Sequence, residues 1–125
     1  RNISVCSSYL VETSQHIADY FTRHGLEIKR FDCLGMSDDR DMARISQSSI
    51  IAAAVRVDVP QAEALFISCT AVPSVAVIAE IENRIGKPVV TSNQASAWAM
   101  MRYADLQHNP VGYGRLFDFD LPKQN

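Results

Sequence analysis

The stretch ALFISCTAVPSVAVIAEIENRIGKPVVT, residues 64–91, decides the fold of this chain. It opens with a continuous apolar run, ALFIS, which is typical of a strand buried on both faces. A helix is predicted over Ser74–Ile85, because apolar residues recur there on one side and Gly86 is a typical stop. A short strand is predicted at Pro88–Thr91, since proline is tolerated at a strand's first residue. This order predicts two parallel strands joined by a crossover helix.

The same alternation extends outward from this unit in both directions. Further strands are predicted at Asn2–Ser7 and Leu26–Cys33. Further helices are predicted at Val11–His24, at Ser46–Asp58 and, capped by Ser92, at Asn93–Tyr103. The segment Gly35–Arg44 is polar and indicates a loop or a short helix, and the tail from Gln107 is expected to be irregular. The order βαβαβαβα predicts an α/β fold, a three-layer αβα, flavodoxin-like arrangement around a parallel four-stranded sheet. At 125 residues, the chain suits one domain, 1–125.

Composition excludes several classes of function. The net charge of −2 and the absence of a basic block disfavour nucleic acid as a partner. No apolar run approaches the roughly 20 residues that span a bilayer, so no membrane association is expected. The sequence contains neither a GxGxxG nor a GxxxxGK[ST] motif and no cluster at metal-ligand spacing, so we expect no cofactor and no metal. Three cysteines without a zinc or disulfide pattern favour a reducing, cytoplasmic location.

Polar residues follow each predicted strand, and in an open parallel sheet these ends converge on the ligand site. The segments concerned are Ser7–Tyr9, Ser37–Asp39, Cys69–Thr70 and Thr91–Asn93. Cys69 stands out, because it lies between a buried strand and a predicted helix whose positive end would lower a thiol pKa. Cys6 and Cys33 lie in strands and are expected to be core residues.

The histidines and the clustered acidic residues are not expected to be catalytic or to bind a metal. The three histidines, His16, His24 and His108, are expected on solvated faces, so a cysteine–histidine hydrolase is not favoured. The acidic cluster at residues 38–41 is expected to be a solvated, helix-capping turn rather than a metal site.

Several motifs together resemble the maleate cis–trans isomerase group of the aspartate/glutamate racemase superfamily, which also contains arylmalonate decarboxylase and ectoine-utilisation racemase-like proteins. The motifs are SCT at Ser68–Thr70, GKPVVTSNQA at Gly86–Ala95 with Trp98, and GYGRLF at Gly112–Phe117. The opening NISVCSSYLVETSQHIADYFTRHG and the loop LGMSDDRDMARIS also resemble this group. The resemblance covers nearly the whole chain.

The resemblance implies that this chain is only the C-terminal half of an enzyme. Members of the group have two similar α/β halves related by a pseudo-two-fold axis, with the active site between them. Cys69 matches the cysteine of the second half, whereas the cysteine of the first half has no counterpart here. The chain begins with Arg1 and enters a strand at once, so we expect that an N-terminal half is absent.

The resemblance also implies residue roles. In the isomerases the first-half cysteine adds to the double bond of maleate, and the cysteine matched by Cys69 donates and accepts the proton. Tyr9 matches a tyrosine that contacts a substrate carboxylate, and Asp39 aligns with a substrate-binding asparagine. The backbone N–H groups of Thr70 and Ala71 would form an oxyanion hole. Ser8 would add a hydroxyl to the substrate site.

The expected function is therefore cofactor-independent isomerisation of a small carboxylic acid, first of all of maleate to fumarate, by a form of the protein that includes the other half. An amino-acid or hydantoin racemase and an arylmalonate decarboxylase are the alternatives within the superfamily. A non-catalytic α/β domain that binds a small anion is the alternative from another class. The face left by the absent half leads us to expect a homo-oligomer.

Overall fold

Four apolar segments form the strands of one sheet: β1 (Asn2–Tyr9), β2 (Glu27–Met36), β3 (Ala64–Ser68) and β4 (Val89–Thr91). In the computed structural model, which describes residues 1–122, all neighbouring strands are parallel and their order is β2-β1-β3-β4. This order confirms the expected flavodoxin-like α/β fold. The last three residues of the expected domain 1–125 lie outside the described residues.

Within the described part of the chain, five α-helices connect and flank the strands: α1 (Val11–Arg23), α2 (Asp39–Met42), α3 (Gln47–Val57), α4 (Ile78–Ile85) and α5 (Ser92–Tyr103). The predicted helix over Ser74–Ile85 begins instead as a 3₁₀ turn, Val75–Val77, and becomes α-helical only at Ile78. The undecided segment Gly35–Arg44 contains the end of β2 and the single turn α2. Within residues 1–122, no helix combines the length and the apolar character needed to cross a membrane.

Successive side chains of β3 point to opposite faces of the sheet, so this strand contributes to the packing on both faces. Leu65 and Ile67 are buried in the core that includes residues of α3 and α4, among them Ile78 and Ile81. On the opposite face, Phe66 meets Phe21 of α1 edge to face, with ring centroids 5.1 Å apart. Burial of each large aliphatic side chain contributes about 1.5–3 kcal/mol, so this strand holds both helical layers to the sheet.

The tail after α5 is fixed against the domain by side chains of that helix. The guanidinium of Arg102 is buried and donates to the carbonyl oxygens of Leu106 (2.9 Å) and Phe117 (2.6 Å). Trp98 Nε1 donates to the carbonyl oxygen of Phe119 at 2.9 Å. These bonds satisfy carbonyl groups that the loop itself leaves unpaired, and they hold the 3₁₀ turn Arg115–Asp118 against the domain.

Candidate active site

The carboxyl ends of β1 and β3 lie side by side at the centre of the sheet. Ser7 of β1 pairs with Ser68 of β3, so Ser8 and Tyr9 come next to Cys69, the residue that follows β3. In an open parallel α/β sheet, ligands bind at this point, where the strand order changes direction. The topology thus brings together the residues predicted after the first and third strands.

The backbone of Cys69 has a conformation that residues with a side chain rarely adopt. Its φ is 114°, and such a conformation costs roughly 1–3 kcal/mol unless its surroundings fix it. The start of α5 does so, because the Cys69 N–H donates to Ser92 Oγ (3.2 Å) and Asn93 Nδ2 donates to the Thr70 carbonyl oxygen (3.0 Å). Only 3% of the Cys69 surface is exposed.

Hydrogen-bond donors from two segments surround the Cys69 sulfur. The Ala71 N–H donates to Sγ at 3.3 Å, and the hydroxyls of Ser8 and Tyr9 lie close enough to the sulfur to lower the pKa of the thiol. Burial raises the pKa of the Cys69 thiol, but the two hydroxyls and the N–H groups of Ala71 and Val72 together bring this pKa below its ordinary value. The cradle therefore stabilises the thiolate in a largely water-free position.

Met42 closes the buried side of this cradle. It is the last residue of α2 and only 1% exposed. Its Sδ lies 3.5 Å from Cys69 Sγ and 3.3 Å from Ser8 Oγ, and both groups donate to it. Nothing in the sequence pointed to this residue, since a methionine in a polar loop carries no motif.

Tyr9 and Asp39 form the exposed rim of the site. The hydrogen bond with Cys69, burial, and the charges of Cys69 and Asp39 raise the pKa of Tyr9 to about 12. The hydroxyl of Tyr9 therefore keeps its proton at neutral pH and remains a donor. Asp39 is exposed in the first turn of α2, and the neighbouring Asp38 provides the cap by accepting from the Arg40 N–H at 2.8 Å.

The lowered pKa of Cys69 was predicted, but its cause differs from the one expected. We expected the positive end of a helix starting near Ser74. The α-helix begins only at Ile78, so the donors are instead loop N–H groups and the hydroxyls at the end of β1. Two serines and a tyrosine in sequence at a strand end were the available signal for this arrangement.

The interpretation of Ser92 as the cap of α5 is wrong. Thr91 is the cap: its Oγ1 accepts from the Gln94 N–H at 3.2 Å, and Gln94 Oε1 accepts from the Thr91 N–H at 3.0 Å. This capping box leaves the Ser92 hydroxyl free to hold Cys69. Ser92 and Asn93 are therefore site-positioning residues that sequence reasoning underrated.

The two predicted oxyanion-hole donors are used differently. The Ala71 N–H points at the Cys69 sulfur, whereas Thr70 lies exposed at the rim. A substrate oxygen near Thr70 would thus lie beside the thiol rather than behind it.

Cys6 and the histidines take the expected places, whereas Cys33 was expected in the core and is not part of it. Cys6 is a core residue, and burial raises the pKa of its thiol to about 11. Cys33 is half-buried in β2, and the three histidines are exposed. Among residues 1–122, no three His, Cys, Asp or Glu side chains group as a metal site.

Replacing Ser92 with alanine should lower the free energy of unfolding by about 1–3 kcal/mol, since the Cys69 N–H loses its acceptor in a buried turn. Urea unfolding of the 125-residue chain measures this change. Ser96→Ala is the matched control, because Ser96 is exposed on the same helix and donates only to the Ser92 carbonyl. Equal effects of the two substitutions would contradict the positioning role of Ser92.

Comparison with known proteins gives a family match over most of the chain and several similar enzymes. The family model described as arylmalonate decarboxylase matches residues 1–117. Arylmalonate decarboxylase of Bordetella bronchiseptica is 29% identical over 122 residues, which are 94% of this chain and 50% of the relative. Maleate isomerase of Nocardia farcinica is 26% identical over 121 residues, 96% of this chain and 48% of that protein. The chain thus spans about half the length of the curated relatives it matches.

Solved structures agree with this comparison. A crystal structure of an arylmalonate decarboxylase mutant in its liganded form superposes with a TM-score of 0.89 at 27% identity, covering 94% of this chain and 52% of the other. A mutant of the Nocardia farcinica maleate isomerase with a covalently bound succinylcysteine intermediate gives 0.89 at 24% identity, covering 94% and 48%. The second likeness concerns the fold alone.

Proposed function

The chain belongs to the arylmalonate decarboxylase family, and we propose that it is the C-terminal half of a cofactor-independent enzyme in which Cys69 transfers a proton to and from a carbon next to a carboxylate. The relatives include a decarboxylase and several isomerases, so the family is one of enzymes. The first reaction we propose is isomerisation of a small unsaturated dicarboxylic acid, of the maleate-to-fumarate type.

One observation carries the proposal: the Cys69 sulfur lies in a cradle of hydroxyl and N–H donors at the switch point of the sheet. A thiol exchanges a proton with carbon at a useful rate only if its thiolate and the developing enediolate are both stabilised. The donors around Sγ stabilise the thiolate. Tyr9, whose hydroxyl stays protonated, and the Thr70 N–H are the donors that we propose for a carboxylate oxygen of the substrate.

Isomerisation also needs a nucleophile, which the other half would supply. Its thiolate adds to one alkene carbon, and the displaced electron pair moves to the other carbon as an enediolate. The Cys69 thiol then gives its proton to that carbon and becomes a thiolate, which leaves a succinyl thioether with a rotatable carbon–carbon bond. After rotation, Cys69 takes a proton back, the carbon–sulfur bond breaks, and fumarate leaves. The succinylcysteine in the Nocardia farcinica mutant supports this scheme for a relative.

Decarboxylation of an arylmalonate is the second candidate, favoured by the family model that matches the chain. Loss of carbon dioxide leaves an enediolate, and a single cysteine, Cys69, suffices to protonate it. Racemisation of an amino acid or hydantoin would instead need cysteines on both faces of the carbon. All three reactions use Cys69 as a general acid or base.

Asp39 bears on the choice between these substrates. Its carboxylate faces Tyr9 at the rim of the site, where it would repel a dianion. In the isomerases that the sequence resembles, an asparagine aligns with this position. A substrate with one carboxylate near Asp39, rather than two, would avoid this repulsion.

The test is a turnover screen of the chain alone and of a form that contains both halves, on maleate, arylmalonates, aspartate, glutamate and hydantoins. We expect turnover of one of these acids by the two-half form and none by the chain alone. Asp39→Asn in the two-half form should lower KM for maleate, because it removes a negative charge from the rim. Asp41→Asn is the matched control, an exposed carboxylate of the same helix.

Turnover of maleate by the chain alone would overturn the two-half proposal. If the two-half form binds these acids without any turnover or exchange of their α-hydrogens, the chain is an anion-binding domain rather than an enzyme half. Homo-oligomer formation remains a prediction, which light scattering of the chain would test.

A further inference from the structure

The Ser8 hydroxyl has two competing acceptors, and this competition gives Met42 a role that packing alone does not. Ser8 donates to Met42 Sδ at 3.3 Å, and its hydroxyl is also one of the groups that lower the pKa of the neighbouring Cys69 thiol. A serine hydroxyl has one proton, so it can serve only one of the two sulfurs at a time. The Cys69 thiol itself donates to the same Met42 Sδ at 3.5 Å.

The preferred partner of Ser8 depends on whether Cys69 carries a proton. A neutral thiol is a weak acceptor and donates to the thioether, so the Ser8 hydroxyl turns to Met42 as well. A thiolate is a far better acceptor than a thioether, because charge-assisted hydrogen bonds are about twice as strong as neutral ones. When Cys69 loses its proton, its sulfur no longer donates to Met42. The Ser8 hydroxyl then turns from Met42 to the thiolate.

We propose that Met42 is a positioning residue that stabilises the protonated form of Cys69, by accepting from the thiol and by holding the Ser8 hydroxyl away from the sulfur. This inference rests on the proposed function, in which Cys69 must be a thiol to give a proton and a thiolate to take one. Met42 thus opposes the lowering of the Cys69 pKa by the donors around the sulfur.

Few other groups near Cys69 Sγ and Met42 Sδ could change the pKa of Cys69 in this way. Tyr9 on β1 and Asp39 on α2 are the titratable groups that face the site. The start of α5 faces it with Ser92 and Asn93, which do not titrate. Neighbouring residues of α3 in the same core are apolar.

The test is a titration of the chain labelled isotopically at cysteine Cβ, with the pKa of each cysteine read from its own NMR signal. Met42→Leu keeps the volume and removes the acceptor, and it should lower the pKa of Cys69 by about half a unit, a threefold change in the thiol–thiolate ratio. In a Ser8→Ala background the same substitution should have a smaller effect, because the hydroxyl that Met42 holds is gone.

Met36→Leu is the matched control, since Met36 packs against the same core but is not the methionine whose Sδ accepts from Cys69. The pKa of Cys6, about 11, should stay unchanged in every variant and reports the integrity of the core. An unchanged or raised pKa of Cys69 in Met42→Leu would overturn the proposal, as would an undiminished shift in the Ser8→Ala background. The titration uses no substrate, so its failure is distinguishable from failure of the proposed enzyme activity.

Discussion

Replacing Cys69 with serine should nearly abolish proton transfer at carbon in the two-half form of the protein. The substitution keeps the shape of the side chain and the N–H groups around it, but a serine hydroxyl neither gives nor takes a proton readily near neutral pH. General acid–base groups accelerate reactions by about 10²–10⁴-fold, and we expect a loss of that size. The measurement is incorporation of deuterium from deuterated water into the α-position of the substrate.

Cys33→Ser is the matched control for this prediction, because Cys33 is a half-buried cysteine of β2. It should exchange deuterium at the wild-type rate. Wild-type exchange by Cys69→Ser would show that the assigned role of Cys69 is wrong. A circular dichroism spectrum and an unfolding curve of each variant separate a lost proton donor from a lost fold.

The four strands and their parallel arrangement could be predicted because each strand has a recognisable local pattern in the sequence. The run ALFIS has the bounds of β3 that the structure shows, Ala64–Ser68, since a strand buried on both faces needs a continuous apolar run. Parallel strands bring their carboxyl ends to one edge, so the meeting of Tyr9 with Cys69 also followed from the pattern. The strand ends were less accurate: β2 continues beyond Cys33 to Met36, where polar alternation gave no stop.

The roles of Ser92 and Met42 could not be predicted, because they depend on distances between segments remote in sequence. Thr91 and Ser92 are both good caps, and only the approach of Cys69 to α5 decides which hydroxyl stays free for the cysteine. The single turn α2 brings Met42 against Cys69, but the sequence predicts only a loop or a short helix in this segment. Local propensity carries no information about either contact.

The exposure of the site residues is consistent with a site that needs a second half. Cys69 is buried, whereas Thr70 and Asp39 are exposed and Tyr9 is half-buried. A catalytic thiol works best where water is excluded, and only 3% of the Cys69 surface is exposed. A complementary half would cover that rim, which fits the coverage of about half of each relative.

Gly114→Ala should cost the domain several kcal/mol of its free energy of unfolding. A Cβ at Gly114 would lie 2.4 Å from Ile78 Cγ2 and 2.7 Å from Gln94 Nε2. Ile78 is fully buried, and Gln94 is fixed because its Nε2 donates to the Tyr113 carbonyl while its Oε1 caps α5. Neither side chain has room to withdraw, so overpacking of about 1–3 kcal/mol adds to a backbone penalty of similar size at φ 90°.

Gly112→Ala separates these two contributions. Gly112 has nearly the same φ, 88°, but a Cβ there meets nothing within 4 Å, so this variant should show the backbone penalty alone. Urea unfolding of both variants should therefore give the larger loss for Gly114→Ala. Equal losses in the free energy of unfolding would mean that the close approach of the tail to α4 and α5 adds no cost to the Gly114→Ala substitution. A larger loss for Gly114→Ala would show that the tail approaches Ile78 of α4 and Gln94 of α5 as closely as the structure describes.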